Sequence, residues 1–122
     1  MVKSKVRITF KSFLIILGII LLFTATDYAI HSLSEEYAVP NYYYKNKVIF
    51  GSIIGFVAYI LIRNKNPFPK SLIFSTTVAI LLQIRYFLEG YPLDFVIEFL
   101  FIHFAILLVL SYITFKLLKK YL

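Results

Sequence analysis

The sequence has no cysteine in its 122 residues, which excludes disulfide bonds, thiolate metal sites and thiol redox chemistry. It also has no glycine-rich loop of the kind that binds phosphate groups, and no serine–histidine spacing that indicates a nucleophile pair. Charged residues are scarce, at 16% of the chain, whereas 61% of the residues are hydrophobic. This composition is typical of an integral membrane protein, and we predict no catalytic residue in it.

Basic residues outnumber acidic ones, which gives the chain a net charge of +7. Ten of the thirteen basic residues lie in three clusters, at residues 3–11, 63–70 and 116–120, and each cluster adjoins the end of an apolar run. This placement follows the positive-inside pattern of membrane helices and leaves no soluble basic surface for nucleic acid. We therefore predict a multi-pass protein of the cytoplasmic membrane, with both termini in the cytoplasm and no nucleic-acid partner.

Four apolar runs are long enough to cross a bilayer as helices, with predicted spans at residues 12–30, 46–62, 71–88 and 95–115. The predicted fold is therefore all-α, a single transmembrane domain over residues 1–122 built as a four-helix bundle. The apolar part of the second span, residues 48–62, reaches only about 22 Å against a hydrocarbon core of about 30 Å. We expect the helix to continue into the polar residues on either side of this run, with Lys45, Lys47 and Arg63 extending to the lipid headgroups.

Ionisable and polar side chains interrupt the apolar runs near one end of the predicted bundle. The predicted intramembrane cluster consists of Asp27, His31, Gln83, Arg85, Glu89, Asp94, Glu98 and His103. The rise per helical residue puts Asp27, Arg85 and Glu98 at nearly the same depth, so we predict that Arg85 bridges the two carboxylates. Such a cluster either locks helices together or forms a proton, ion or metal site, and we favour the packing role.

Asp27 and His31 stand four residues apart, so both could ligate one metal ion, with Glu98 or Glu89 completing the site. Two ligands at this spacing arise often by chance. We therefore predict neither a metal nor another cofactor.

Small residues recur along one face of the second span, at Gly51, Gly55 and Ala58. Such a stripe lets the backbone of another helix approach closely. We predict close packing within the chain, and the alternative is a homo-oligomer formed through Gly51 and Gly55.

The second half of the chain resembles the phosphate-starvation-inducible E (PsiE) family, mainly over residues 67–115. The resemblance rests on Phe68-Pro69 before the third span, Gln83 late in that span, and Tyr91-Pro92-Leu93-Asp94 at the start of the fourth. Asp27 and His31 near the end of the first span are also similar. The family commonly carries an arginine where Gln83 stands, whereas here Arg85 is displaced by two, and the glutamate expected in the second span is absent. The resemblance implies a small four-helix protein of the cytoplasmic membrane, linked by expression to phosphate supply, without a defined molecular activity.

Three functions remain open from the sequence. The first, which we favour, is a membrane protein of non-enzymatic or unassigned activity, such as a stress-linked or accessory factor, with membrane lipid as its partner. The second is a small homo-oligomeric transporter or channel that uses Asp27, Arg85, Glu98 and His103 for a proton- or anion-linked path. The third is a lipid-active membrane enzyme.

Overall fold

The computed structural model describes residues 2–118, with side chains from residue 9 onward. Its four helices are α1 (Val2–His31), α2 (Tyr42–Ile62), α3 (Pro67–Leu88) and α4 (Leu93–Leu117), and a short 3-10 helix (Glu35–Tyr37) lies between α1 and α2. Each helix is long and apolar enough to span a membrane, and the described residues contain no strand. The prediction of an all-α four-helix bundle is confirmed. Of the basic residues used to predict orientation, Lys119 and Lys120 lie outside the described residues.

All four helices begin before the predicted start of their spans, and α2 and α3 each do so by a full turn of polar or proline-containing sequence. α2 begins at Tyr42, and its 21 residues reach about 32 Å, which is enough to cross the hydrocarbon core. α3 begins at Pro67, so Pro67 and Pro69 lie in its first turn, where a missing backbone N–H removes no intrahelical hydrogen bond. Both helices therefore use polar or proline-containing flanks that hydropathy alone assigns to loops.

The helices pack in chain order, and α4 closes the ring against α1. The α3–α4 hairpin has the most extensive contact and turns at Gly90, whose positive φ of 85° is a conformation that glycine adopts without strain. We call the end where α1 and α3 finish and α2 and α4 start the His31 end. The opposite end, with the α2–α3 turn at residues 63–66, is the Arg63 end.

An apolar core fills the bundle below the His31 end. Fully buried members of this core come from α1, α3 and α4, and include Ile16, Ile20, Phe23, Phe74, Val78 and Leu107. Large apolar side chains are also exposed on the outer surface of every helix, among them Leu22, Leu61, Phe87 and Phe101. An outer surface as apolar as the core is expected of a chain surrounded by lipid.

The small residues of α2 lie inside the bundle. A Cβ atom added at Gly51 would lie 3.2 Å from Ile20, and one added at Gly55 would lie 3.1 Å from Phe74. Ala58 is also buried. The stripe therefore lets α2 approach α1 and α3 within one chain, and an oligomer formed through Gly51 and Gly55 would have to displace these neighbours.

Candidate functional site

Asp27 is the centre of a buried polar cluster at the His31 end. Its Oδ2 atom accepts a hydrogen bond from the Nζ atom of Lys47, on α2. Its Oδ1 atom lies 2.9 Å from Nε2 of His103, on α4. One turn further along α1, Nε2 of His31 lies 3.2 Å from Oδ2. Three helices thus direct one ammonium group and two imidazoles at a single carboxylate.

The hydrogen bonds of His31 assign its protonated nitrogen. Its Nδ1 atom lies 2.5 Å from the backbone carbonyl oxygen of Tyr37, which can only accept. Nδ1 therefore carries a proton, and in a neutral imidazole the lone pair is on Nε2, which lies 3.3 Å from Nζ of Lys47. The ring of His31 connects the cluster to the loop between α1 and α2.

His103 has the opposite tautomer. Because the Asp27 carboxylate accepts, Nε2 of His103 donates, and a neutral ring then has its lone pair on Nδ1. This Nδ1 atom is buried and has no hydrogen-bond partner within residues 9–118. Buried polar atoms usually have partners, so the imidazole has capacity for one more proton or ligand.

Aromatic rings enclose the cluster. The ring of His31 stacks on Phe99 with centroids 4.2 Å apart, and Phe23 meets His103 edge to face at 5.1 Å. Nζ of Lys47 lies 5.3 Å from the ring centroid of Tyr86. Asp27 and His103 are fully buried, and His31 and Lys47 are 2% and 3% exposed. In such surroundings charge–charge attraction is strong and an unpaired charge is costly.

Three members of the cluster also have the chemistry of metal ligands. Asp27, His31 and His103 each offer a ligand atom, and these atoms lie within 4.8 Å of one another. The ammonium group of Lys47 lies among them, bonded to Asp27 and near His31. The chain therefore supplies its own cation at this point, and a metal ion could bind only after displacing Lys47.

The predicted bridge from Arg85 to Asp27 and Glu98 is wrong. Nε of Arg85 instead donates to Glu89, one turn further along the chain, at 3.0 Å. Both side chains are about a third exposed, at 38% and 34%. The prediction failed because equal depth does not fix the direction in which a side chain points. Arg85 faces α2, with its guanidinium carbon 5.2 Å from the ring centroid of Tyr43.

The other predicted polar residues also lie outside the cluster. Glu98 is exposed and accepts a hydrogen bond from the phenol of Tyr37 at 3.0 Å, and this bond raises the pKa of that phenol. Asp94 is exposed in the first turn of α4. With Glu98 it lines a cavity of about 400 Å³ at the outer edge of the His31 end, which we call the rim. Gln83 is buried and donates to the backbone carbonyl of Val96 at 2.7 Å, which joins α3 to α4.

Lys47 is the member of the buried cluster that sequence reasoning missed. It was expected to extend to the headgroups, but it is buried and points into the bundle. Lys47, Gly51 and Gly55 follow one another at intervals of four residues, so they share a helix face. The small-residue stripe was predicted to face another helix, and extending it by one turn would have placed Lys47 inside.

Apolar side chains close the cluster on the side of the Arg63 end. Phe23 contacts His103, and Ile20, Val78 and Leu107 continue the same buried core. The hydroxyl group of the nearby Thr24 is bonded within its own helix, to the carbonyl of Ile20 at 2.8 Å. The cluster therefore lies between an apolar floor and the loop of the His31 end.

Comparisons of the chain with protein-family models, with curated proteins and with solved structures find no match. The resemblance to the PsiE family stays a prediction. The geometry of the cluster is therefore the observation that bears on function.

Proposed function

We propose that this chain is a proton-responsive membrane protein whose proton-binding site is the cluster of Asp27, His31, Lys47 and His103. One observation carries the proposal: two buried imidazoles meet a carboxylate that already has an ammonium partner. Lys47 neutralises Asp27, so neither histidine is needed for charge balance. Imidazole is the side chain that ordinarily changes charge between about pH 5 and 8. Ionisable groups at membrane depth are costly and usually serve function.

His31 is the proton acceptor that the geometry favours. A proton on its Nε2 atom would be donated to Oδ2 of Asp27, 3.2 Å away. The neighbouring ammonium group of Lys47 would then face a second positive charge at 3.3 Å, and the enclosed cluster would gain a net positive charge. Movement of Lys47, or of the loop that bonds Nδ1 of His31, relieves this repulsion. Protonation is thereby coupled to the conformation of residues 32–41.

The apolar floor supports the proposal that protons reach the cluster from the His31 end alone. Ile20, Phe23 and Leu107 separate the cluster from the Arg63 end, and hydrocarbon side chains offer no hydrogen bonds along which a proton could move. A proton-responsive accessory factor fits this arrangement better than a channel. The transporter alternative requires a second conformation in which the floor opens.

Nitrogen NMR of the imidazoles tests the proposal, because His31 and His103 are the two histidines of the sequence. In detergent micelles, we expect at least one ring to gain a proton as the pH is lowered over the range in which the bundle stays folded, with amide shifts in residues 32–41 moving at the same midpoint. His31→Gln and His103→Gln assign the signals, and Glu35→Gln serves as a control in the exposed loop. If both rings keep one protonation state over this range, the cluster has a packing role alone. If zinc ions shift both rings at one equivalent, the site binds metal.

We also infer that the His31 end faces away from the cytoplasm and that both termini are cytoplasmic. The support is the concentration of basic residues beside the Arg63 end and the terminal segments. Because the chain has no cysteine, single thiols report the orientation cleanly. Asn41→Cys should react with a membrane-impermeant thiol reagent in intact cells, and Asn66→Cys should not; the reverse result would invert the topology. Transcript levels at low phosphate would test the expression link that the PsiE resemblance implies.

A further inference from the structure

A groove runs between α2 and α3 on the flank of the bundle, separate from the floor and the rim described above. It has a volume of about 310 Å³, which is at the lower end of the range for ligand pockets, about 300–1,000 Å³. Its lining runs along α2 from Tyr43 to Ile54, eleven residues apart, which is about 16 Å along the helix. The groove therefore extends from the His31 end towards the middle of the membrane.

The end of the groove near the headgroups is lined by cations and hydrogen-bond donors. Arg85 and Lys47 line it, together with Asn46, Tyr43 and Tyr86, and no carboxylate does. Arg85 is the cation that is accessible from the groove, because its side chain is 38% exposed, whereas Lys47 and the hydroxyl groups of Tyr43 and Tyr86 are buried.

Arg85 has N–H groups that its bond to Glu89 does not use. A guanidinium group has five N–H groups, and Glu89 accepts from the Nε–H of Arg85. The guanidinium carbon lies 5.2 Å from the ring centroid of Tyr43, so the cation is held against α2 at the groove. Arginine donates to phosphate oxygens in pairs, which makes a phosphate group the acceptor that fits best.

The deeper part of the groove is apolar. Phe50 and Ile54 of α2 face Leu81 and Leu82 of α3, and the groove opens to the outer surface of the bundle. A free phosphate ion would leave this part empty. A lipid has a phosphate group at headgroup level and an acyl chain at the depth of Phe50 and Ile54, so it fills both parts.

We propose that the groove binds one anionic glycerophospholipid of the surrounding bilayer. Its phosphodiester accepts hydrogen bonds from Arg85, and one acyl chain lies along Phe50 and Ile54. An anionic headgroup is preferred over a zwitterionic one because Arg85 lines the groove and its partner Glu89 does not, so no carboxylate of the lining can pair with a choline ammonium group. This site is independent of the proposed proton binding, although Lys47 borders both.

Fluorescence quenching tests the proposal, because the chain has no tryptophan. Phe50→Trp places a single fluorophore in the groove, and bromine on an acyl chain quenches it on contact. In phosphatidylcholine vesicles, brominated phosphatidylglycerol should quench this fluorophore with an apparent affinity about fivefold higher than brominated phosphatidylcholine, the preference expected from one basic side chain. Equal quenching by the two lipids would overturn the proposal.

The chain offers a control at matched depth. Phe101 is eight residues from the start of α4, as Phe50 is from the start of α2, and it borders an apolar groove with no charged residue. Phe101→Trp should be quenched equally by the two lipids. A preference of the same size at Phe101 would mean that general surface charge, not the groove, selects the lipid, and would contradict the proposal.

Two further measurements separate lipid from free phosphate and assign the donors. In the Phe50→Trp background, Arg85→Gln should abolish the headgroup preference, whereas Arg63→Gln at the opposite end should retain it. Arg85→Lys provides a second, milder variant, which keeps the charge but loses the paired donors and should weaken the preference. Inorganic phosphate, added against a chloride control of equal ionic strength, should not displace brominated phosphatidylglycerol. Displacement by phosphate, or a preference that survives Arg85→Gln, would refute a lipid site.

Discussion

Separating Asp27 from Lys47 should destabilise the bundle more than any other change to a charged pair described above. Their side chains are 0% and 4% exposed. Breaking a buried ion pair by removing one partner costs about 3–5 kcal/mol, because the remaining charge stays buried without compensation. We therefore expect Lys47→Met to lower the free energy of unfolding by about 3 kcal/mol, at the lower end of this range, since His103 still donates to the carboxylate.

Asp27→Leu should cost more than Lys47→Met. It strands the ammonium group of Lys47, and it also removes the acceptor of the Nε2–H group of His103. A buried donor left without an acceptor adds about 1–3 kcal/mol to the loss. The double variant should recover most of the ion-pair cost, because no orphan charge remains, but it should keep the cost of the unpaired histidine.

The pair of Arg85 and Glu89 is the matched control, because it has the same chemistry at 38% and 34% exposure. Exposed helical pairs contribute about 0.3–0.5 kcal/mol, so Arg85→Met and Glu89→Ala should each change stability by less than about 1 kcal/mol. Reversible unfolding in mixed micelles, followed by circular dichroism, measures all of these variants. If Lys47→Met costs no more than Arg85→Met, the buried pair does not hold the helices together and the cluster has been misassigned.

Three further predictions test the packing and the rim. Gly55→Leu should lower the thermal unfolding midpoint, by overpacking that costs about 1–3 kcal/mol, whereas Gly18→Leu should not, since nothing lies within 4 Å of a Cβ atom at Gly18. Gln83→Leu should cost about 1 kcal/mol in chemical unfolding through loss of its one interhelical hydrogen bond, and an unchanged midpoint would contradict this role. Glu98→Gln should lower the pKa of Tyr37, measured by carbon NMR of the labelled phenol, because the carboxylate that raises it is gone; an unchanged pKa would show that the two groups do not meet.

The fold was predictable because hydropathy acts over whole helices. Four apolar runs required four spans, and the turn at Gly90 followed from the glycine and proline between the last two runs. The helix starts were less predictable. Tyr42 and Pro67 begin their helices in polar or proline-containing segments, where hydropathy gives no signal but helix geometry is still allowed.

The site was only partly predictable because the depth of a residue in the membrane does not determine the direction in which its side chain points. Rise per residue placed Asp27, Arg85 and Glu98 at one level, but the buried face of α4 is marked by Phe99, His103 and Leu107 at intervals of four residues, and Glu98 is not on it. Glu98 and His103 were both named in the predicted cluster, but they are five residues apart on α4 and lie on different faces of that helix. The histidine is the one that meets Asp27.

Tyr37 connects the two groups of polar residues at the His31 end, the buried cluster and the rim. Its backbone carbonyl accepts from His31 of the buried cluster, and its phenol donates to Glu98 at the rim. The cluster has one carboxylate and one ammonium group, so it is neutral in itself and needs no charge from the rim. The rim carboxylates Asp94 and Glu98 are exposed. Within the described chain, one residue of the loop is thus bonded to both groups. A change in the charge of His31 would therefore reach the surface through the loop, along the bonds of Tyr37, without any charge moving across the apolar floor.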